Sequence, residues 1–476
     1  MAKFNTTVNN RTVNREGHAA YKLNDKEKLV TMVLTSFFNE KKFYGDNTKA
    51  LLATLDAVIK TDPKFVSNLA VFARKVFNMR TVSHVLTAYL ANSPNGKEFV
   101  RGTVRDVVVR GDDATEIMAF YIDQFGKPIP NSLKKGIADV LQGFDEYTLA
   151  KYKGDGKSVK MRDLICICHP KPKTKAQEAL WKRCLEGELE TPYTWETELS
   201  TKGNTKAVWY DLIDSKKVGY MGLLRNLRNI LNANPANVNE VLDYLADPAA
   251  VRKSKQLPFR FLSAYRSVKN FGSSKVFDAL ESAIEASVDN MPKLKGTTVI
   301  AIDISGSMSS RISENSDIRC YDISTLLGVI ANRICENAIV YMFDNDLYHK
   351  AFSTKHGILY TVDREAKARG GTNMNLPFEE MIRTKVMADR VIVISDNECN
   401  GGWYNDPVQK MADRYRKTTG NKNCWVHAID IMGYGTAQFY GDKTNLIAGW
   451  SERVFDFIAF AEQGESNLVK TIEGYR

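Results

Sequence analysis

Cysteine is scarce in this chain, with seven in 476 residues at irregular spacing. An odd, unpatterned set does not make a disulfide framework and fits reduced thiols, so a cytosolic, cytoplasmic setting is expected. Long apolar runs are missing as well. No stretch of about 18 apolar residues occurs, so a membrane-spanning helix and a membrane partner are not expected. The opening Met1-Ala2-Lys3-Phe4-Asn5 lacks the apolar core of a secretory signal. No Ser-His-Asp order, phosphate-cradling glycine loop or paired catalytic carboxylates stand out, and the expectation is a protein that is not an enzyme.

What is present is ample for folding. Apolar residues make up 43% and charged residues 26%, ordinary values for a globular protein, and the length calls for two or three domains. Charge is unevenly placed. Residues 296–476 hold 20 Lys and Arg against 23 Asp and Glu, whereas residues 1–295 hold 46 against 33. The basic N-terminal part is therefore the one expected to meet a polyanion.

Residues 1–24 are polar and read as an extended arm. From Asp25 to residue 295 the apolar spacing is helical: Leu29, Met32, Val33 and Phe37 lie on one face, and further helices are expected at Thr48–Ile59, Pro63–Met79, Thr81–Ala91, Asp113–Gln124, Ser132–Leu141, Lys217–Leu231 and Pro258–Val268. Such a run of short helices predicts a stacked, solenoid-like array, although no strict repeat shows. Beyond Lys295-Gly296 the pattern changes. Strands at Thr297–Ile302, Ala338–Phe343, Arg390–Ser395 and Cys424–Asp430 alternate with helices at Ile323–Glu336, Leu376–Arg383, Pro407–Arg416 and Trp450–Ala461, which predicts a doubly wound, mostly parallel sheet over residues 296–476.

The first of those strands ends in Asp303-Ile304-Ser305-Gly306-Ser307. A carboxylate and two hydroxyls thus emerge together at the carboxyl edge of a sheet, where ligands of α/β folds bind. Such hard oxygens suit Mg²⁺. Thr372, in the loop Gly370-Gly371-Thr372-Asn373, and Asp396, after Arg390–Ser395, could complete the set. In this order the five residues resemble the metal-ion-dependent adhesion site, or MIDAS, of von Willebrand factor A (vWA) domains.

A second resemblance covers nearly the whole chain. The arm Thr12–Tyr21, the pair Ala73–His84, the stretch from Lys151-Tyr152-Lys153 through Arg162-Asp163-Leu164 to His169-Pro170-Lys171-Pro172, and Met221–Asn229 followed by Leu257-Pro258-Phe259 are similar to TROVE-domain proteins of the Ro autoantigen type. The resemblance implies a ring of HEAT-like helical repeats closed by the vWA domain. It implies binding of single-stranded 3′ ends of misfolded RNAs through a central hole, and of small noncoding Y-like RNAs on an outer basic surface. It also implies that any nuclease activity belongs to a protein partner met through the vWA domain; a monomer is expected.

Within that frame, Lys151, Lys153, Lys157, Lys160, Arg162, Lys171 and Lys173 form the densest basic run, and His169 matches a family position near RNA. Lysines around flexible glycines can follow phosphates whatever the base sequence. The family's basic loop carries an arginine where this chain has Gly154-Asp155-Gly156. Arg74, Lys75 and Arg80 are a second candidate group for RNA. For Arg101, Arg105 and Arg110, salt bridges along helix surfaces are the stronger reading, and for Arg225 and Arg228 an RNA contact and an internal role stay equally open. Cys166, Cys168, His169 and Cys184 lack zinc-ligand spacing and read as buried thiols. The competing function is a metal-dependent protein adaptor working through the vWA domain.

Overall fold

The computed structural model describes residues 11–14, 17–35, 46–256, 258–289, 291–312, 317–399, 408–449, 453–462 and 468–475. Phe37, Leu257, Pro407 and Trp450, together with the first ten residues of the arm, lie outside the described residues. The chain forms two compact units, one built from residues 1–35 and 199–468, the other from 36–198 and 469–476. Among the described residues no helix is long and apolar enough to cross a membrane.

The second unit is helical. Its successive helices are Asp46–Thr61, Pro63–Lys75, Thr81–Asn92, Lys97–Val107, Gly111–Phe125, Asn131–Leu141, Glu146–Lys151, Met161–Cys168 and Lys175–Glu186. The start of Pro63–Lys75 illustrates how the sequence sets these boundaries: the Asp62 carboxylate accepts from the Phe65 amide at 2.9 Å, and Pro63 occupies the first turn, where its missing N–H costs nothing. The buried Asn68 of that helix donates to the carbonyls of Ile472 (3.0 Å) and Glu473 (2.9 Å). Those carbonyls close the helix Leu468–Glu473 and would otherwise be orphaned at its end. Tyr475 sets its ring edge-on to Phe72, 5.1 Å between centroids.

The first unit holds the sheet. Its parallel strands are β3 (Leu294–Asp303), β4 (Cys335–Phe343), β6 (Arg390–Ser395), β7 (Trp425–Asp430) and β9 (Thr444–Ala448), with β5 (Leu347–Lys350) antiparallel at one edge. The order β5-β4-β3-β6-β7-β9 means that the chain leaves β3 to one side and returns on the other, so β3 and β6 flank the switch point. Val299, Ala301, Val391 and Val393 pack one face against Phe378, Met381, Ala412 and Tyr415 of the helices Leu376–Thr384 and Gln409–Thr419. On the other face, the helix Cys320–Ile334 rests on β3 so closely that a Cβ on Gly328 would lie 2.2 Å from the Ile302 side chain.

The arm is not simply extended. β1 (Arg11–Val13) and β2 (Ala19–Lys22) form a hairpin whose second strand pairs antiparallel with β8 (Thr436–Ala437). These strands are too short and too polar to show a period of two in the sequence.

Helices of the 199–289 stretch dock onto the α/β layer through charge. Arg266 makes a two-pronged pair with the buried Asp322, both bonds 2.6 Å. Glu281 accepts from the amides of Leu359 (2.9 Å) and Tyr360 (3.4 Å), capping the helix Ile358–Glu365. Replacing Arg266 by alanine strands a buried carboxylate, and the expected loss is about 3–5 kcal/mol of stability, read from chemical denaturation of the full chain. A midpoint unchanged from the unsubstituted protein would contradict this account of the docking.

Candidate metal centre and basic surfaces

At the switch point three strands end in carboxylates. Asp303 closes β3, Asp396 follows β6 and Asp430 closes β7, and all three are buried. Asp303 Oδ1 accepts from the Ser305 amide at 2.8 Å, and Oδ2 accepts from the Ser395 hydroxyl at 2.5 Å. The Ser305 and Ser307 hydroxyls stand 3.1 Å apart, and Ser307 stays partly open to solvent. Burial first, and then the Asp396 charge, push the Asp303 pKa up. Burial raises Asp430 to about 6. Concentrated buried negative charge of this kind is relieved by a cation.

Thr372 is carried to this edge by a stitched loop. The Gly306 amide donates to the Gly370 carbonyl at 2.9 Å, the Arg369 amide to the Ile304 carbonyl at 2.7 Å, and the Asn373 amide to the Asp344 carbonyl at 2.9 Å. Gly370 has φ +66°, and a Cβ there would press on Asp344. Asp344, in the turn after β4, is buried and accepts from Arg369 Nε at 2.8 Å. Thr372 itself is buried. Among the described residues no three His, Cys, Asp or Glu side chains converge as a metal cluster, so a cation here would rely on hydroxyls. The sequence reading does not single out Ser395 or Asp430, the last residues of β6 and β7.

The cationic candidates separate into two classes. Arg74 and Arg80 belong to a buried ion cluster around Asp113. Arg74 bonds its Oδ2 at 2.9 Å and the Val107 carbonyl at 3.2 Å. Arg80 bonds its Oδ1 at 2.5 Å and reaches Asp112 at 2.7 Å and Glu116 at 3.1 Å. His84 is 3.1 Å from the same Oδ1. The amides of Val109 and Arg110 also donate to Asp113, which starts the helix Gly111–Phe125. Burial alone would raise the Asp113 carboxyl, but the His84 bond and the two guanidinium groups hold it well below the usual carboxylate range. The structure thus gives Arg74 and Arg80 a structural role, and Lys75 pairs with Asp106 at 2.7 Å. Arg101 forks onto Asp139 at 2.7 and 2.8 Å, and Arg110 pairs with Asp112 at 3.3 Å.

The lysine run is at the surface. Lys153 pairs with Asp155 at 2.6 Å, Lys157 with Glu116 at 3.2 Å and Arg162 with Asp163 at 3.9 Å. Lys151 lies over the rings of Tyr147 and Tyr152, 5.3 and 5.7 Å from their centroids. Lys160, Lys171 and Lys173 have no ion-pair partner among the described residues. Gln142 donates to the Lys171 carbonyl at 3.1 Å and Gln177 accepts from the Lys173 amide at 2.8 Å, so these lysines project from a braced loop. His169 ends the helix Met161–Cys168 with φ +46° and an exposed ring. Cys166 is exposed rather than buried, Cys168 is half-buried and Cys184 is buried; all are free thiols.

In the first unit, Arg225 and Arg228 lie on the exposed side of the helix Tyr220–Ala233, whose Leu223, Leu224 and Leu227 face inward. Arg260 of the helix Pro258–Val268 stands 4.9 Å over the Phe259 ring, its pKa lowered by partial desolvation and by the charge of Arg225. Among the described residues none of the three has a carboxylate partner.

A mostly parallel sheet bearing Asp and Ser ligand candidates at its central carboxyl edge, joined to a helical array, defines a vWA-type domain on a helical scaffold. The TROVE domain model matches residues 19–188 and 181–285, and the Ro60 vWA domain model matches residues 297–438. The chain belongs to the TROVE family. It is 25% identical over 348 residues to a protein named RNA-binding protein RO60 from Deinococcus radiodurans, covering 60% of this chain and 63% of that one. It is 24% identical over 349 residues to telomerase protein component 1 of Rattus norvegicus, covering 56% of this chain but only 13% of that much longer protein. The crystal structure of the Deinococcus radiodurans RO (RSR) protein superposes with a TM-score of 0.63 at 18% identity, covering 93% of this chain and 100% of that one, which shows a shared fold.

The Arg74 geometry has a direct consequence. Arg74→Ala is expected to lower stability by about 3 kcal/mol, because Asp113 loses a buried partner, while RNA affinity of the folded fraction stays unchanged. A selective loss of RNA binding with normal thermal stability would reverse the assignment.

Proposed function

We propose that this chain is an RNA-binding protein of the Ro type that takes single-stranded 3′ ends of misfolded RNAs and small Y-like noncoding RNAs. The carrying observation is a set of cations that make no ion pair among the described residues: the half-buried Lys160 and the exposed Lys171 and Lys173 in one unit, the exposed Arg225, Arg228 and Arg260 in the other. A cation already paired gains little by meeting a phosphate, whereas a solvated one releases the counterions condensed on RNA. The half-exposed Tyr147 beside Lys151 adds a ring on which an unpaired base can stack. These contacts read backbone and stacking, so the selection is for single-stranded character rather than for a particular sequence. Family membership and the relatives named for RNA binding support the reading. It assigns no reaction to the chain; a nuclease would be a separate partner. A cytoplasmic setting is part of this proposal, supported by the odd, irregularly spaced set of seven cysteines.

The vWA edge is proposed to hold Mg²⁺ through Asp303, Ser305, Ser307, Thr372 and Asp396. The fit rests on the buried carboxylates, the raised Asp303 pKa and the hydroxyl pair 3.1 Å apart. A bound cation would neutralise that charge and accept a further oxygen ligand, such as a partner protein's carboxylate.

Two measurements test the RNA reading. Fluorescence anisotropy should show tighter binding to a stem carrying a single-stranded 3′ tail than to the blunt stem; equal affinities would defeat it. Replacing Lys171 and Lys173 together by alanine should weaken the tailed RNA and lower the slope of log affinity against log salt by about 1.4, about 0.7 per phosphate contact for a single strand. A slope identical to that of the unsubstituted protein would remove these lysines from the interface.

A further inference from the structure

The metal edge and the N-terminal hairpin are physically connected, and the connection runs through one side chain. Asn14 sits in the turn between β1 and β2 and is buried despite its amide. Its Oδ1 accepts from the His18 amide at 2.8 Å, while its backbone N–H donates to the His18 carbonyl at 2.7 Å and its carbonyl accepts from Gly17 at 3.0 Å. One end of the side-chain amide is thereby fixed within the hairpin. The other end leaves it: Asn14 Nδ2 donates to the Cys399 carbonyl at 2.9 Å, a buried bond spanning 385 residues of sequence.

Cys399 closes the short segment that begins at Asp396. Within that segment the Glu398 amide donates to Asp396 Oδ1 at 3.2 Å, and the Asn397 amide to the Ser395 hydroxyl at 3.0 Å. That hydroxyl in turn donates to Asp303. The Cys399 thiol donates to the Thr372 carbonyl at 3.4 Å from a buried position among Met374, Phe378 and Phe439. Through these bonds the Asp396–Cys399 segment is joined to Asp303 and to the loop of Thr372, which the Gly306–Gly370 bond also ties to the Asp303 turn. A further amide, Gln438 Nε2, donates to the Asn397 carbonyl at 3.3 Å from the residue after β8, the strand on which β2 pairs.

We propose that Asn14 is a positioning residue for the divalent-cation site: the N-terminal hairpin acts as an external brace that holds the Asp396–Cys399 segment, and through it Thr372, in the ligating arrangement. The proposal rests on the metal reading given above. Groups that orient ligands from outside the coordination sphere set affinity through preorganisation, because a loop free to wander must be ordered when the ion binds. Asn14 touches no candidate ligand side chain, so its effect is on the geometry of the site and not on its charge.

The test uses Mn²⁺ as probe, with the full-length chain and three substitutions, and reads the dissociation constant by electron paramagnetic resonance of free Mn²⁺. Thermal unfolding is followed with and without the ion. Asn14→Ala removes both side-chain bonds. Asn14→Asp keeps the acceptor for His18, and so the hairpin, but replaces the donor facing Cys399 with an oxygen. Val13→Ala, at an exposed neighbour on the same hairpin, is the control. Both Asn14 variants should bind Mn²⁺ about tenfold more weakly than the unsubstituted chain, with Val13→Ala unchanged. Their Mn²⁺-induced gain in melting temperature should shrink even when compared with each variant's own metal-free value, which a merely structural role would leave alone. Unchanged affinity in Asn14→Asp would overturn the proposal while leaving the metal site standing. Failure of the unsubstituted chain to bind Mn²⁺, or retention of binding in Asp303→Ala, would overturn the metal reading and this proposal with it.

Discussion

A carboxylate taken out of water has to be answered by positive charge or by enough donors, and this protein buries carboxylates at three decisive places. At Asp113 the answer is two arginines and a histidine; at Asp322 it is the forked guanidinium of Arg266. At Asp303 the protein supplies an amide and a serine hydroxyl, and sets the like charge of Asp396 nearby. The first two arrangements are self-sufficient and organise helices. The third lacks a cation among the described residues and lies where an α/β sheet opens between strands that leave in opposite directions. The same physical demand therefore separates framework from site.

That separation also explains what could be read in the sequence. Long buried strands such as Arg390–Ser395 announce themselves by continuous β-branched residues, and their ends place Asp303 and Asp396 at one edge without further information. Short strands give no such signal: Leu347–Lys350 and Thr444–Ala448 are too brief for a pattern, and the arm's strands exist because β8 offers them an edge. Pairing across 385 residues, as between Asn14 and Cys399, has no local trace at all. The cations show the same limit. Arg74, Arg80 and Lys171 are all cationic and nothing local in the sequence separates them; the position of Asp113 decides that the first two are internal.

Charge in excess therefore matters less than charge left over. The part of the chain before residue 296 is strongly basic, yet Arg74, Arg80, Arg101, Lys153 and Lys157 are each held by an acidic neighbour. Exposed pairs such as Lys153–Asp155 are weak enough to exchange for a phosphate at little cost, so they can join a contact that the unpaired lysines begin. Buried ones cannot, because opening them strands Asp113. This ranks the basic run by availability of charge: the exposed and unpaired Lys171 and Lys173 first, the half-buried Lys160 and the paired Lys153, Lys157 and Arg162 behind them, and the Asp113 cluster last.

Asn14 links the N-terminal hairpin to the edge of the sheet. The N-terminal hairpin belongs to the compact unit that carries the α/β layer, and the C-terminal helix to the other unit, where Asn68 receives it. The hairpin and the helix Leu468–Glu473 are thus each held by an asparagine amide bond to a main-chain carbonyl far away in sequence. Such bonds are modest in free energy but specific in geometry, because a buried carbonyl left without its donor costs about 1–3 kcal/mol. They define where a terminal segment must lie rather than merely attracting it. For the hairpin, that place is the segment leading out of Asp396, beside the candidate metal edge.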